Sequence, residues 1–269
     1  ECCRVEDALV VPQAGPTVIA TTISGRILLA EDGKDNQRFI SAMLRKTGAE
    51  VVIADNGRIA VEMALGQKFD LILMDMQMPE LDGYAATSRL RSKGYTGPIV
   101  ALTAHAMADD RAKCIKAGCT DYLVKPIDRK HLVEMSSKYV KVGRSVVEQA
   151  PAPIPASAGP SGQIVSTCEN DPVMAEVLPE FIANLSNEVS SLRSLLAGND
   201  LDQLQDTVHQ IKGAGGSYGF ACLSDAAAIA ELSLKSGADL ETVKSQVDSL
   251  VELIQKVRGY QPTPEPARG

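Results

Sequence analysis

Five short apolar runs, each closing on a polar residue and each followed by helical spacing, constrain this chain more than any other feature. They fall at 26–30, 51–54, 71–74, 99–102 and 121–124, and the helical patterns at 35–46, 57–65, 84–93, 107–116 and 128–139. The run Leu71-Ile72-Leu73-Met74 has no polar member, as expected of a parallel strand covered on both faces. Strand and helix alternating five times predict an α/β domain with a doubly wound, five-stranded parallel sheet.

Beyond this domain the pattern changes. Residues 143–166 are rich in Pro, Ala and Gly and read as a linker. Helical stripes follow at 172–197, 201–218, 222–236 and 240–257, with short breaks, and predict a separate all-α four-helix bundle over 167–258. The α/β domain spans 26–142 in this reading. Residues 1–25 are an upstream linker or the end of a preceding domain, and 259–269 a proline-rich disordered tail.

Composition narrows the function classes. A length of 269 residues fits two domains, and no apolar run approaches a membrane span. The chain begins at Glu1 without a basic segment leading into an apolar one, and reads as a piece of a longer protein. A net charge of −7 and the lack of Trp argue against a nucleic-acid surface. The six cysteines, at 2, 3, 114, 119, 168 and 222, lack metal-ligand or Cys-x-x-Cys spacing and read as reduced intracellular thiols. Cys2-Cys3 has no account.

Four of the strands end in Glu31-Asp32, Asp75, Thr103 and Lys125. In a doubly wound sheet those ends lie along one edge, where such folds keep their ligands. Clustered carboxylates repel unless a cation sits among them, and hard oxygen ligands suit Mg²⁺. Lys125 adds a point charge, and Thr103 a hydroxyl able to bond a phosphoryl oxygen. The set fits movement of a phosphoryl group onto a carboxylate by positioning and charge neutralisation. Taken singly, each element also fits an ordinary strand end: a solvated acid, a capping Thr, a Lys-Pro turn.

The segments Ile27-Leu28-Leu29-Ala30-Glu31-Asp32, Leu71 through Pro79, Val100 through Met107 and Asp121-Tyr122-Leu123-Val124-Lys125-Pro126 closely resemble the receiver domain of two-component signalling. The resemblance covers roughly 26–142 and implies a flavodoxin-like fold. It implies that Asp75 is the phospho-acceptor. Asp32, Asp75 and the backbone carbonyl of Gln77 would hold Mg²⁺, with Glu31 nearby or acting through water, and Lys125 would contact the phosphoryl group. Thr103 and Tyr122 would form the switch pair; a half-buried strand aromatic is the plainer reading of Tyr122. Gly33 departs from the family, which often has Asn directly after the acidic pair.

The bundle holds His209-Gln210-Ile211-Lys212-Gly213-Ala214-Gly215-Gly216. His209 lies about 100° from Val208 of the apolar stripe, so it can face outward, and Lys212 and Gly213 fall on its own face. Glycines in a helix interior cost roughly 0.8–1 kcal/mol each, so they call for a reason. Clearance is one: without side chains at Gly213 and Gly216, a partner domain can bring an aspartyl phosphate to the imidazole, with Lys212 stabilising the added charge. A loop from Gly213 to Gly219 after a shorter helix fits the same residues. The segment resembles the His-containing phosphotransfer (HPt) domain over roughly 168–258. His105 and His131 lack this setting and read as structural.

Together these resemblances imply the receiver and HPt portion of a hybrid sensor histidine kinase acting in a multistep phosphorelay. His209 would carry the group to or from a receiver aspartate. The implied partners are an upstream histidine kinase domain of the same protein and a downstream response regulator receiver, with no nucleic acid and no membrane contact by this piece. The location would be cytoplasmic, within a parent protein that can be membrane-anchored. No ATP-binding glycine motif is present, so this piece should not use ATP itself. A non-catalytic docking or sequestering module is the rival reading. A free-standing Mg²⁺-dependent aspartyl phosphatase fits poorly, since Gln77 stands where a second acid would be needed.

Overall fold

The computed structural model describes residues 18–104, 108–147 and 163–262. Residues 1–17 with Cys2 and Cys3, residues 105–107 with His105, the 148–162 part of the predicted linker and the tail from 263 lie outside the described residues.

The chain enters through β1 (Val18–Ser24) and continues into a parallel sheet. That sheet comprises β2 (Arg26–Ala30), β3 (Glu50–Ala54), β4 (Leu71–Asp75), β5 (Ile99–Thr103) and β6 (Asp121–Val124), in the order β3-β2-β4-β5-β6. Side chains alternate across it. Ile27, Leu29, Leu71 and Leu73 face α1 (Lys34–Lys46), while Leu28, Ala30, Ile72 and Met74 face α2 (Gly57–Gly66) and α3 (Gly83–Ser92). Helix α4 (Ala108–Ala117) joins the second layer through Cys114, and α5 (Arg129–Ser137) the first through Leu132. Each such Leu or Ile, wholly buried, contributes roughly 1.5–3 kcal/mol. The strand order reverses between β2 and β4, so Asp32 and Asp75 emerge side by side at the crevice of the doubly wound fold.

Parts of both predicted linkers depart from the sequence reading, and Ile164 near the end of the second bridges Val257 of the bundle. Residues 18–24 and 143–147, read as linker, lie in strands: β1 pairs antiparallel with β7 (Lys141–Val147), from Val18 opposite Val147 to Ser24 opposite Lys141. β-Branched residues at Val18, Ile19, Thr21, Thr22 and Ile23 favour the extended chain. Ile23 then enters the receiver-side core, 1% exposed, and its N–H donates to the Thr47 carbonyl at 2.8 Å. Ile23→Ala is therefore expected to cost about 2–5 kcal/mol, read as a lower urea midpoint at unchanged slope. An unchanged midpoint would make the strand peripheral.

The second unit is the four-helix bundle α6 (Met174–Gly198), α7 (Leu201–Ser217), α8 (Ala221–Lys235) and α9 (Leu240–Gln255). Asp200 and Asp239 cap α7 and α9 by accepting from Gln203 and Thr242 N–H at 3.2 and 2.9 Å. Helix α7 runs unbroken through Gly213, Gly215 and Gly216, so the loop alternative does not hold. It stops where Gly219 takes a φ of 80°, which favours glycine. The two units pack together along α1, α6 and α7, and one apolar core runs through both. Tyr218 stacks on Phe181 (centroids 4.1 Å apart) and leans on Phe39 of α1 at 5.5 Å.

Candidate functional site

The strand-end residues converge. Glu31, Asp32 and Asp75 each offer a carboxylate oxygen within 4.8 Å of the others. The Lys125 ammonium reaches Asp75 Oδ2 at 2.6 Å and Glu31 Oε2 at 2.8 Å. Glu31, Asp75 and Lys125 are all buried. Three acids against one ammonium leave an excess of negative charge, two of the acids buried and Asp32 at the edge of a cleft. Burial raises the Asp75 carboxyl's pKa, with Lys125 opposing and Glu31 adding to the rise. Burial pulls Lys125 down, but Asp75 and Glu31 together hold it above its ordinary value. Asp32 is raised by burial and then by Glu31. This donor set, all carboxylate oxygen, fits a hard divalent cation.

The predicted neighbours are placed as follows. Gln77 lines a cleft with Asp32 and donates its backbone N–H to Asp75 Oδ1 at 3.2 Å. Thr103 ends β5, buried, and its carbonyl accepts from Lys125 N–H at 2.7 Å. Tyr122 is half-buried, with the Arg111 guanidinium 5.8 Å from its ring centroid, and lines a separate depression with Asp121 and His131. Gly83 must be glycine: a Cβ there would collide with the Asp75 carbonyl.

His209 stands on α7 against a buried carboxylate that the sequence reading missed. Its Nδ1 lies 2.9 Å from Glu231 Oε1, while Lys212 and Lys235 reach the same carboxylate at 2.9 and 2.6 Å. Burial raises the Glu231 pKa, but its hydrogen bonds from His209, Lys235 and Lys212 outweigh that and hold it well below the usual carboxylate range. With Nδ1 engaged, Nε2 is the ring nitrogen left to react. The signal was present in the sequence. Leu223, Ala227, Ala230 and Leu234 form the inward stripe of α8, and Glu231 sits on it, an acid where apolar residues belong.

The two sets of residues face each other. A cleft of about 360 Å³ is lined by Asp32, Gln77 and Asp82 on one side and by Gln205, His209 and Glu231 on the other. A smaller cavity brings Lys125 and Pro126 together with His209 and Lys212. The glycines make this approach possible. A Cβ on Gly213 would stand 3.1 Å from Asn36 Nδ2, and one on Gly216 would stand 2.5 Å from Pro126 Cβ. Gly215 points the other way, where a Cβ would meet Leu223 Cβ at 3.2 Å, and serves close packing of α7 on α8. Across the contact Gln210 Nε2 donates to Asp32 Oδ2 at 2.8 Å, Ile127 N–H to Ser217 Oγ at 3.1 Å, and Tyr218 OH to the Asp35 carbonyl at 3.2 Å. Neither Gln210 nor Asn36 carries a sequence signal, because their roles exist only across the domain contact.

Two family models match the chain in separate stretches. Residues 27–137 match the response regulator receiver domain family and residues 176–260 the Hpt domain family. Sensor protein GacS of Pseudomonas syringae pv. syringae is 31% identical over 246 residues, 86% of this chain and 27% of the relative. Signal transduction histidine-protein kinase BarA of Escherichia coli K12 is 28% identical over 270 residues, 96% of this chain and 28% of the relative. The chain thus spans about a quarter of the length of these curated relatives. Among solved structures, the receiver domain of sensor histidine kinase PA1611 from Pseudomonas aeruginosa PAO1 is 44% identical, with a TM-score of 0.41, covering 43% of this chain and 97% of that one. No helix among the described residues is long and apolar enough to cross a membrane. The chain joins a response regulator receiver domain to an Hpt domain, the two modules of phosphorelay signal transduction.

Proposed function

We propose that Asp75 accepts a phosphoryl group from a kinase phosphohistidine, and that His209 of the same chain exchanges it with Asp75 in the docked arrangement before passing it to a downstream receiver aspartate. The observation that carries this reading is the shared interface: His209 lines one cavity with Asp32 and Gln77 and another with Lys125, across a contact where a Cβ at 216 would collide with Pro126 and one at 213 would press on Asn36.

Asp32, Asp75 and the Gln77 carbonyl would hold Mg²⁺. Glu31 already accepts from Lys125 Nζ, Asn36 Nδ2 and Gly33 N–H, which favours its acting at one remove. When bound, the cation supplies charge neutralisation for the phosphoryl oxygens. In the transfer the bond from Asp75 oxygen to phosphorus breaks and a bond from His209 Nε2 to phosphorus forms. Asp75 leaves as a carboxylate, held by Lys125. Glu231 accepts a hydrogen bond from Nδ1–H, which selects the tautomer with its lone pair on Nε2 before attack and steadies the positive charge of the ring after it.

Chelation of divalent cations is expected to stop labelling of Asp75 by acetyl phosphate. Asp32→Asn removes a charged ligand and is expected to weaken Mn²⁺ binding by at least the roughly 10–100-fold that loss of a mere supporting partner costs, read by the resonance of free Mn²⁺. Labelling that persists in excess chelator would remove the metal from the account. The docking-module reading would gain if Asp75 failed to label with Mg²⁺ present.

A further inference from the structure

On α6, positions 176, 180, 184 and 188 recur every fourth residue and form one row along the docked receiver. Glu176 pairs with Lys46 at 2.9 Å, and Glu180 with Arg38 at 3.0 Å. Asn184 Nδ2 donates to Asp35 Oδ2 at 3.0 Å and to Glu188 Oε1 at 3.3 Å. The row therefore ends with two carboxylates, one from each domain, leaning on a single amide. Asp35 has a cation, Arg38, at 2.9 Å; Glu188 has no ion pair among the described residues. Burial, and then Asp35, pushes the Glu188 carboxyl up to about 7. The cavity around it, about 280 Å³, also holds Asp32, Lys34 and Arg38. Like charges set against each other across an interface penalise that particular pairing.

A tethered receiver meets its bundle at an effective concentration of roughly millimolar, and would hold His209 against any free partner unless its docking were weakened. A downstream receiver must bring its own acid pocket to the same imidazole, laying the first turn of its first helix along the same row. We propose that Glu188 is a specificity-determining residue of the bundle: it disfavours the chain's own receiver, which meets it with Asp35, and favours a receiver that presents Lys or Arg at that place. The inference rests on the relay reading above.

The test uses whole chains in pairs. A His209→Ala donor, phosphorylated on Asp75, carries either Asp35 or Asp35→Lys; an Asp75→Ala acceptor carries either Glu188 or Glu188→Lys. The Asp35→Lys donor is expected to phosphorylate the Glu188 acceptor at least about fivefold faster than the unaltered donor does, and the order should invert on the Glu188→Lys acceptor. The milder Asp35→Asn and Glu188→Gln should each raise the rate in the same sense, which guards against a misfolded reversal. Rates independent of both charges would overturn the selector and leave the relay standing. Transfer in none of the pairings would strike at the relay itself. Small-angle scattering of single chains then decides the selector alone: either charge reversal by itself should compact the chain, and the two together should restore the unaltered dimensions. Unchanged dimensions in every combination would overturn it.

Discussion

A Gly216→Leu chain is expected to label normally on Asp75 yet pass the group to His209 about a hundredfold more slowly. The first atom of the new side chain would stand 2.5 Å from Pro126 Cβ and 3.2 Å from Ser224 Oγ, so the receiver must retreat by something like an ångström. A displacement of that size can cost on the order of 10²-fold in a reaction that depends on alignment. By helix propensity alone the change is favourable, since glycine is roughly 0.8–1 kcal/mol worse than a good helix former at an interior position. Slow transfer with helix content and Asp75 labelling both kept would therefore assign the glycine to approach. Unimpaired transfer would mean that the docked arrangement is not the reactive one.

Glu231→Ala should lower phosphohistidine formation on the order of a hundredfold, the lower end of what a positioned acid–base partner contributes. The carboxylate is buried beneath His209 Nδ1, Lys212 and Lys235, and its loss leaves the ring free to turn and to protonate on either nitrogen. Glu231→Gln keeps a hydrogen-bond acceptor and should recover part of the rate. The sign of the pH effect follows from the depressed pKa. Glu231 stabilises the bundle fully above the ordinary carboxylate range, and that stabilisation is lost as pH falls below it. The unaltered bundle should thus unfold more readily in acid, and Glu231→Ala should blunt that dependence. Equal acid sensitivity in both would assign it to other groups.

Much of the architecture was legible because its signals are local. The apolar runs at β2 through β6 and the stripes of α6 through α9 bury continuous faces, and period alone identifies them. Glu31, Asp32, Asp75, Thr103 and Lys125 could be grouped because a doubly wound sheet gathers its strand ends. The glycines of α7 could be questioned because they cost helix stability without local benefit. What escaped depends on distant partners. Strand β1 pairs with a segment more than a hundred residues away, and neither half shows its pairing alone. Gln210 reaches Asp32, and Asn36 approaches Gly213, only once the domains meet. Lys212, expected from the sequence to meet the phosphoryl charge, has its ammonium on Glu231 beside His209, a partner that only the packing of α7 on α8 supplies.

The most direct test follows the label. The unaltered chain, His209→Ala and Asp75→Ala would each be treated with acetyl phosphate and Mg²⁺, and the products challenged with acid and with alkali. An acyl phosphate is lost in alkali and a phosphohistidine in acid. Both labels are expected on the unaltered chain, only the alkali-labile one on His209→Ala, and neither on Asp75→Ala. The acid-labile label should also form at a rate independent of protein concentration. An acid-labile label on Asp75→Ala, or a rate rising in proportion to concentration, would contradict transfer from Asp75 to His209 within one chain.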